Sequence, residues 1–513
     1  MAVLQPRAAS RSQPRPPWKP RIGVDAVVED WVSSGYVAPC MVADRSLPAN
    51  PPSLRPIPDS LRPELAAALR GRGIVELWSH QTEAIEAAIA GQGAPPGTAG
   101  RHVVIATPTA SGKSLCFHLP VLQALAEDPT ASAIYLYPTK ALARDQESGL
   151  RELVAEAGLA QEPGAGGRPG VAAIVYDGDT PGDARRAARE KSPIVLTNPD
   201  MLHAGILPHH AHWARTFRSL RYVVIDELHT YRGVFGSHVA HVLSRLKRVA
   251  AFHGASPTFL CATATIGNAR EHAARLLGVD EAEVTLCDQS GAPRGERRFF
   301  LYNPPVVNAE LGVRASYVKA AVRLAADLVR ARVPTIVFGA SRNTVETMLK
   351  YLRDAVGVTT GDGRVHRHRG VPPLYPAGED APRSDGAPRD SASIPVDAIM
   401  AYRGGYLPET RRKIERGLRA GEILCVVATN ALELGIDIGD LDAVICAGYP
   451  GSIAGTWQRS AAPGGAAPRA SPCSSPPAPA SISTWRRTRS TCSTAPSSKR
   501  ASTRTTPRSW CST

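Results

Sequence analysis

The residues best suited to chemistry form the run "TPTASGKS", Thr107–Ser114, directly after the apolar stretch around Val103, Val104 and Ile105. An apolar strand, a tight loop of small residues and a Gly-Lys-Ser opening a helix is the pattern of a phosphate-binding loop. The backbone N–H groups of Thr107, Pro108, Thr109, Ala110, Ser111 and Gly112 (less the proline) would line an anion nest at a helix N-terminus. Lys113 could then reach the β- and γ-phosphates of ATP, and the Ser114 hydroxyl could bind Mg²⁺. Thr107 stands where the usual pattern has glycine. Downstream, Asp226-Glu227-Leu228-His229 follows "YVVI". A carboxylate pair at a strand end suits one residue to the metal, Asp226, and one to the attacking water, Glu227.

Further polar groups sit beyond the ends of other apolar runs, where open α/β sheets bind ligands. Thr263 and Thr265 could relay between nucleotide and a second ligand, with ordinary strand-end capping as the competing account. Pro138, Thr139 and Lys140 with Arg144, and Thr197 with Asn198, offer hydroxyl, amide and cationic groups suited to phosphodiester oxygens. Gln81 could read an adenine edge, with Trp78 packed nearby.

The elements that must position these groups are legible as alternation. Unalternated apolar runs at His102–Ala106, Ala133–Tyr137, Val171–Tyr176, Pro193–Leu196, Tyr222–Ile225 and Thr258–Cys261 are separated by helical stretches. That is the signature of a parallel sheet covered on both faces, one α/β domain over 61–300. A second α/β domain over 301–459 follows, with strands at "TIVFGA", Val396–Ala401, Ile423–Ala428 and Ala443–Ala447. Residues 359–393, rich in Gly, Pro, Arg and Asp, read as a surface insertion. "HRHRG" within it reads as solvated loop rather than a metal site. Residues 1–60, dense in Pro and Arg, read as an arm without a core, holding one short helix at "VDAVVEDWV".

The order of motifs resembles the DExH helicases of superfamily 2. Gln81 matches a Q-like position, Thr107–Ser114 motif I, Pro138–Ala141 motif Ia, Thr197–Asp200 motif Ib, Asp226–His229 motif II and Thr263–Thr265 motif III. Phe338–Arg342 is similar to motif IV, Ala401–Arg412 to the motif IVa region and Val426–Ser452 to motif V. "DELHTYRGVFGSHV", "TNPDMLH" and "TNALELGIDIG" are similar to the bacterial mitomycin repair factor A branch, whose members are ATP-dependent DNA helicases. The resemblance spans about residues 60–459. It implies two tandem RecA-like domains with ATP and Mg²⁺ at their interface and a nucleic-acid strand, DNA with a single-stranded region, crossing both. It also implies that Arg342, Arg403, Thr429 and Asn430 face the strand, while Gly435 and Asp437 face the nucleotide. An RNA helicase, or a fragment that binds without catalysis, is the alternative.

After "TWQRS" the resemblance stops. The family continues into motif VI, of the form G-R-A-G-R-R-G, whereas this chain reads "AAPGGAAPRASPCSSPPAPA". With GC-rich codons, reading from the third base of codon 460 returns G-R-A-G-R-R-G, so loss of one base there is the expectation. The second sheet should then be incomplete and the tail from 460 to 513 disordered. Eight cations and no Asp or Glu lie from Ser460 onward, and without them the net charge of +14 falls to +6, a mild bias toward anionic partners. No apolar run approaches the ~20 residues of a membrane span and no signal-peptide core opens the chain, so a cytoplasmic protein is expected. None of the nine cysteines is paired as C-x-x-C, which supports neither a disulfide framework nor a zinc knuckle.

Overall fold

The strand His102–Ala106 buries every residue. Val103 and Ile105 enter one core while Val104 and Ala106 enter another on the opposite face, because successive strand side chains point to opposite sides. In the computed structural model, which describes residues 23–160, 170–264, 266–358, 394–432, 441–461 and 481–485, that strand belongs to a seven-stranded sheet. Its order is Val284–Cys287, His102–Ala106, Thr258–Thr263, Leu220–Ile225, Ser132–Leu136, Ile194–Thr197 and Ala173–Val175. All neighbours are parallel.

The second seven-stranded sheet runs Met41–Leu47, Arg297–Tyr302, Ser481–Trp485, Ala443–Cys446, Thr335–Phe338, Cys425–Ala428 and Ile399–Tyr402. Here too both faces are apolar: Val337, Val427 and Ile445 enter one core, Ile336, Val426 and Val444 the other. The expected pair of α/β domains is therefore present. The insertion at 359–393 lies outside the described residues.

Two expectations about the ends of the chain are corrected. Residues 24–47 are not a coreless arm. The helix Val24–Ser33 buries Val27, Val28 and Trp31 in the second domain's core, and the Trp31 indole N–H donates to Asp327 Oδ2 at 3.0 Å. Met41–Leu47 then pairs antiparallel with Arg297–Tyr302. The reading failed because the partners of these apolar residues lie some 250–300 positions away, where no local period reveals them. Residues 1–22 lie outside the described part.

The second sheet is also not left open after Gly451. A helix forms at Ile453–Ala461, and Ser481–Trp485 is placed as a parallel strand between Arg297–Tyr302 and Ala443–Cys446. Ile482, Thr484 and Trp485 are strand-favouring types, but five residues in a Ser-rich tail carry too little period to be read as a strand. The rest of the tail lies outside the described residues.

Candidate nucleotide site at the domain cleft

The loop Thr107–Gly112 turns tightly enough to require left-handed backbone at Ala110 (φ 62°) and Gly112 (φ 74°). At Gly112 a side chain would also have to displace the Gln81 amide, since a Cβ would lie 2.6 Å from Gln81 Nε2. The helix Lys113–Glu127 starts immediately after, so its unpaired N–H groups and positive dipole end face the loop. Thr107 is fully buried and its hydroxyl bonds that of Ser111 at 2.6 Å. Lys113 Nζ donates to the carbonyls of Thr107 (3.0 Å) and Pro108 (2.8 Å). Ser114 Oγ donates to Gln146 Oε1 at 2.9 Å.

Opposite lie the carboxylates of Asp226 and Glu227. Glu227 adopts a left-handed conformation (φ 50°) and its N–H donates to Asp226 Oδ1 at 2.8 Å. Burial pushes both carboxyls well above the ordinary carboxylate range. For Glu227 the neighbouring Asp226 adds to this, and Lys113 opposes it for both. Burial likewise lowers the Lys113 ammonium, with Glu227 and Asp226 acting to hold it charged. A cation beside these carboxylates would stabilise their ionised forms, so the donor set fits a divalent ion.

His229 links this centre to the second domain. Burial lowers its ring to about 4, so it is neutral near pH 7. The Gln458 amide N–H donates to Nε2, leaving the ring hydrogen on Nδ1. That nitrogen lies 3.2 Å from Thr263 Oγ1 and 3.5 Å from Glu227 Oε2. Gln458 sits on the helix Ile453–Ala461, so this bond crosses between the domains. Arg419 and Asp145 form a second, looser crossing at 3.9 Å.

Several residues expected at ligands also make bonds within the chain. Gln81 accepts from Trp78 N–H through Oε1 (3.0 Å) and donates through Nε2 to the Gly112 carbonyl (3.0 Å). Its amide therefore braces the loop, with one N–H and one oxygen lone pair left beyond these two bonds. Thr197 is buried and its hydroxyl donates to Tyr176 O at 2.7 Å, while Asn198 caps the next turn by accepting from Met201 N–H. Thr139 caps the helix Lys140–Glu156. Lys140 pairs with Asp179 at 2.9 Å, and Arg144 lies 3.5 Å from both Asp177 and Asp179. Pro138 and these cations stay at the strand end, but their charge is partly neutralised there. In the second domain Arg342 and Arg403 converge beside Gly405, and Arg403 also pairs with Glu346 at 2.8 Å. Thr429 is buried and Asn430 exposed at the end of Cys425–Ala428. Thr265, Gly435 and Asp437 lie outside the described residues. The sequence reading gave no role to His80, His229 or Gln458 individually. For His80 the only signal was its place between Ser79 and Gln81.

A model of the DEAD/DEAH box helicase family matches residues 78–272, and the helicase conserved C-terminal domain matches 396–461. The chain carries a DEAD/DEAH box helicase domain and a helicase conserved C-terminal domain. It is 44% identical over 405 residues to the uncharacterized ATP-dependent helicase YprA of Bacillus subtilis, covering 79% of this chain and 47% of that protein. The ATP-dependent helicase HRQ1 of Saccharomyces cerevisiae is 34% identical over 385 residues, 75% of this chain and 31% of its own length. Among solved structures, the DUF1998 helicase MrfA bound to DNA and AMPPNP superposes with a TM-score of 0.73 at 39% identity, covering 91% of this chain and 55% of that one. The chain thus spans about half or less of the length of the relatives it matches. Among the described residues no helix is long and apolar enough to cross a membrane.

Proposed function

We propose that this chain binds ATP between its two RecA-like domains and uses that site to act on DNA with a single-stranded region. The observation that carries the reading is the convergence of Asp226, buried, with Lys113 and Glu227, partly buried, in mutual electrostatic contact at a loop whose backbone is bent into an anion nest. Lys113 must leave the carbonyls of Thr107 and Pro108 to reach the phosphates. Ser114 and Asp226 would hold Mg²⁺, which when bound neutralises charge on the β- and γ-phosphate oxygens. Glu227, raised toward neutral pH by burial, is suited to orient or deprotonate water. DNA as the nucleic acid is supported by the MrfA complex, which holds DNA. Arg342, Arg403, Thr429 and Asn430 are the second-domain groups proposed to face the strand, and Thr263, with Thr265, to couple it to the nucleotide. Gly435 and Asp437 are proposed to face the nucleotide.

A second reading, a module that binds without turning over, is favoured by one observation. Gln458 and Arg459 are in place on the last helix, but the arginines of motif VI are absent after Ser460. In related nucleotidases such an arginine is worth roughly 10³–10⁵ in rate. The test is nucleotide binding and hydrolysis by the purified chain, with single-stranded DNA and RNA compared as stimulants. Mg²⁺-dependent ATP binding is expected, weakened roughly 10- to 100-fold in Lys113→Ala by loss of charge-assisted contacts, with little stimulated turnover. Robust DNA-stimulated hydrolysis would rule out the non-catalytic reading, and stimulation by RNA alone would rule out DNA.

A further inference from the structure

Two chain segments cross between the domains: 48–53, leaving the strand Met41–Leu47, and 288–296, entering the strand Arg297–Tyr302. They run antiparallel and are bonded to each other. Asn50 N–H donates to Arg294 O (2.8 Å), Arg294 N–H to Asn50 O (2.9 Å) and Ser53 N–H to Gly291 O (2.8 Å). The Asn50 side chain adds a bond to Ala292 O at 3.3 Å. The connection is thus a two-stranded ribbon, and any change in the angle between the domains must pass through it.

The first turn of the helix Ser79–Gly91 is wedged between this ribbon and the phosphate loop. Ser79 N–H donates to Ser53 O at 2.8 Å on the ribbon side, and Gln81 donates to Gly112 O on the loop side. His80, between them and fully buried, touches both. Its Nδ1 lies 3.2 Å from the Gly291 N–H and its Nε2 lies 2.9 Å from the Ser111 carbonyl. A backbone N–H can only donate and a carbonyl can only accept, so a single ring form satisfies both: neutral, with the hydrogen on Nε2. An imidazolium would place a second N–H against the Gly291 N–H. Burial keeps the ring neutral, lowering it to about 4 despite the favourable Ser111 bond. The approach of the ribbon to this turn is close enough that a Cβ on Gly291 would lie 2.3 Å from Ser79 Oγ and 2.6 Å from Ser53 O.

We propose that His80 is a positioning residue that ties the phosphate loop to the interdomain ribbon, so that occupation of the loop by nucleotide is transmitted to the angle between the domains. The proposal rests on the reading of Thr107–Ser114 as a nucleotide site. A phosphate group drawn into the nest reorients the peptide units of the loop, including the Ser111 carbonyl. The imidazole is rigid and bonded at opposite edges, so movement at Ser111 is delivered to Gly291 without a flexible side chain to absorb it. A histidine that only filled space would need neither bond to run to a segment that moves.

The two edges can be cut separately. In His80→Gln the amide nitrogen reaches toward the Nε2 position and keeps the Ser111 bond. In His80→Asn the amide oxygen stays near the Nδ1 position and keeps the Gly291 bond. Gly291→Ala pushes the ribbon away without altering the ring. Hydrogen exchange of 48–53 and 288–296 is measured on the full chain with and without Mg²⁺–AMPPNP, beside thermal melting and direct nucleotide titration. In the wild type, nucleotide is expected to change ribbon exchange. In His80→Gln, nucleotide affinity stays within about threefold of wild type while the ribbon response falls by roughly three- to tenfold, the factor one buried hydrogen bond carries. His80→Asn is expected to weaken nucleotide binding and also lose the response, and Gly291→Ala to lose the response alone. A full response in a folded, nucleotide-bound His80→Gln or Gly291→Ala protein overturns the proposal. Wild-type chain that takes up no nucleotide overturns the nucleotide-site reading too, which separates the two failures. Should His80→Asn fail to fold, the other two variants decide.

Discussion

The two domains share an architecture but are assembled differently. In the first, every strand of the sheet lies within residues 102–287, and the groups of its site are presented from strand ends and loops supported by their immediate neighbours. In the second, the core draws on residues 24–47, before the first domain begins, and the sheet takes in a strand at 481–485, after the family match has ended. The first can therefore build its half of the cleft from contiguous chain. The second depends on contacts of very long sequence separation, and its chain departs from the family pattern after Ser460. The proposed binding groups Lys113, Asp226 and Glu227 all lie in the contiguous half, and the proposal leaves the completion of catalysis to the discontinuous half.

Restoring the reading frame after codon 460 tests this division most severely. If G-R-A-G-R-R-G then follows Ser460, DNA-stimulated ATP hydrolysis is expected to rise by roughly 10³–10⁵ with little change in ATP affinity. A restored chain with unchanged turnover would show that the missing half is not what limits it. Nucleotide sequence across codons 455–465 checks the premise directly.

Trp31→Ala should break the second domain selectively. The indole is 2% exposed and bonded to Asp327, so truncation is expected to cost about 3–5 kcal/mol. Differential scanning calorimetry should show the second domain's transition falling while ATP affinity of the first is retained. Equal loss in both domains would mean that the halves do not fold as separate units.

The smallest effect concerns the carboxylates. The folded-state pKa values of Asp226 and Glu227 are raised by burial, so their contribution to stability is fully present below the ordinary carboxylate range. It is lost as pH rises through the raised values toward neutrality. With metal chelated at pH 8, Asp226→Asn should therefore be more stable than the wild type, by on the order of 1–2 kcal/mol, while losing Mg²⁺-dependent nucleotide binding. A melting temperature that falls on this substitution would show that the carboxylate is stabilised by partners the burial argument neglects.

Local rules carried most of the first domain. The unalternated runs at His102–Ala106 and Tyr222–Ile225 are strands of one parallel sheet, flanking Thr258–Thr263, because burial on both faces leaves a continuous apolar signature. Thr107–Ser114 and Asp226–Glu227 were legible for a related reason: the loop geometry and the strand-end carboxylates are encoded within a few residues. Local rules did not reveal that Gln81, Thr197 and Asn198 also bond neighbouring backbone. A residue type states what a side chain can bond, not which partner reaches it first.

What the sequence determined by itself, then, is the run of buried strands in the first domain, the tight loop at Thr107–Ser114 and the carboxylate pair at Asp226–Glu227. Each depends on spacing over fewer than about ten residues, a range in which backbone geometry leaves few choices. Only the tertiary structure decided that residues 24–47 complete the second domain and that His229 meets Gln458 across the cleft. It alone placed His80 between the ribbon and the loop. Those contacts join segments separated by 31 to nearly 300 positions, and the reason they form is the packing of two sheets whose relative placement no local pattern records.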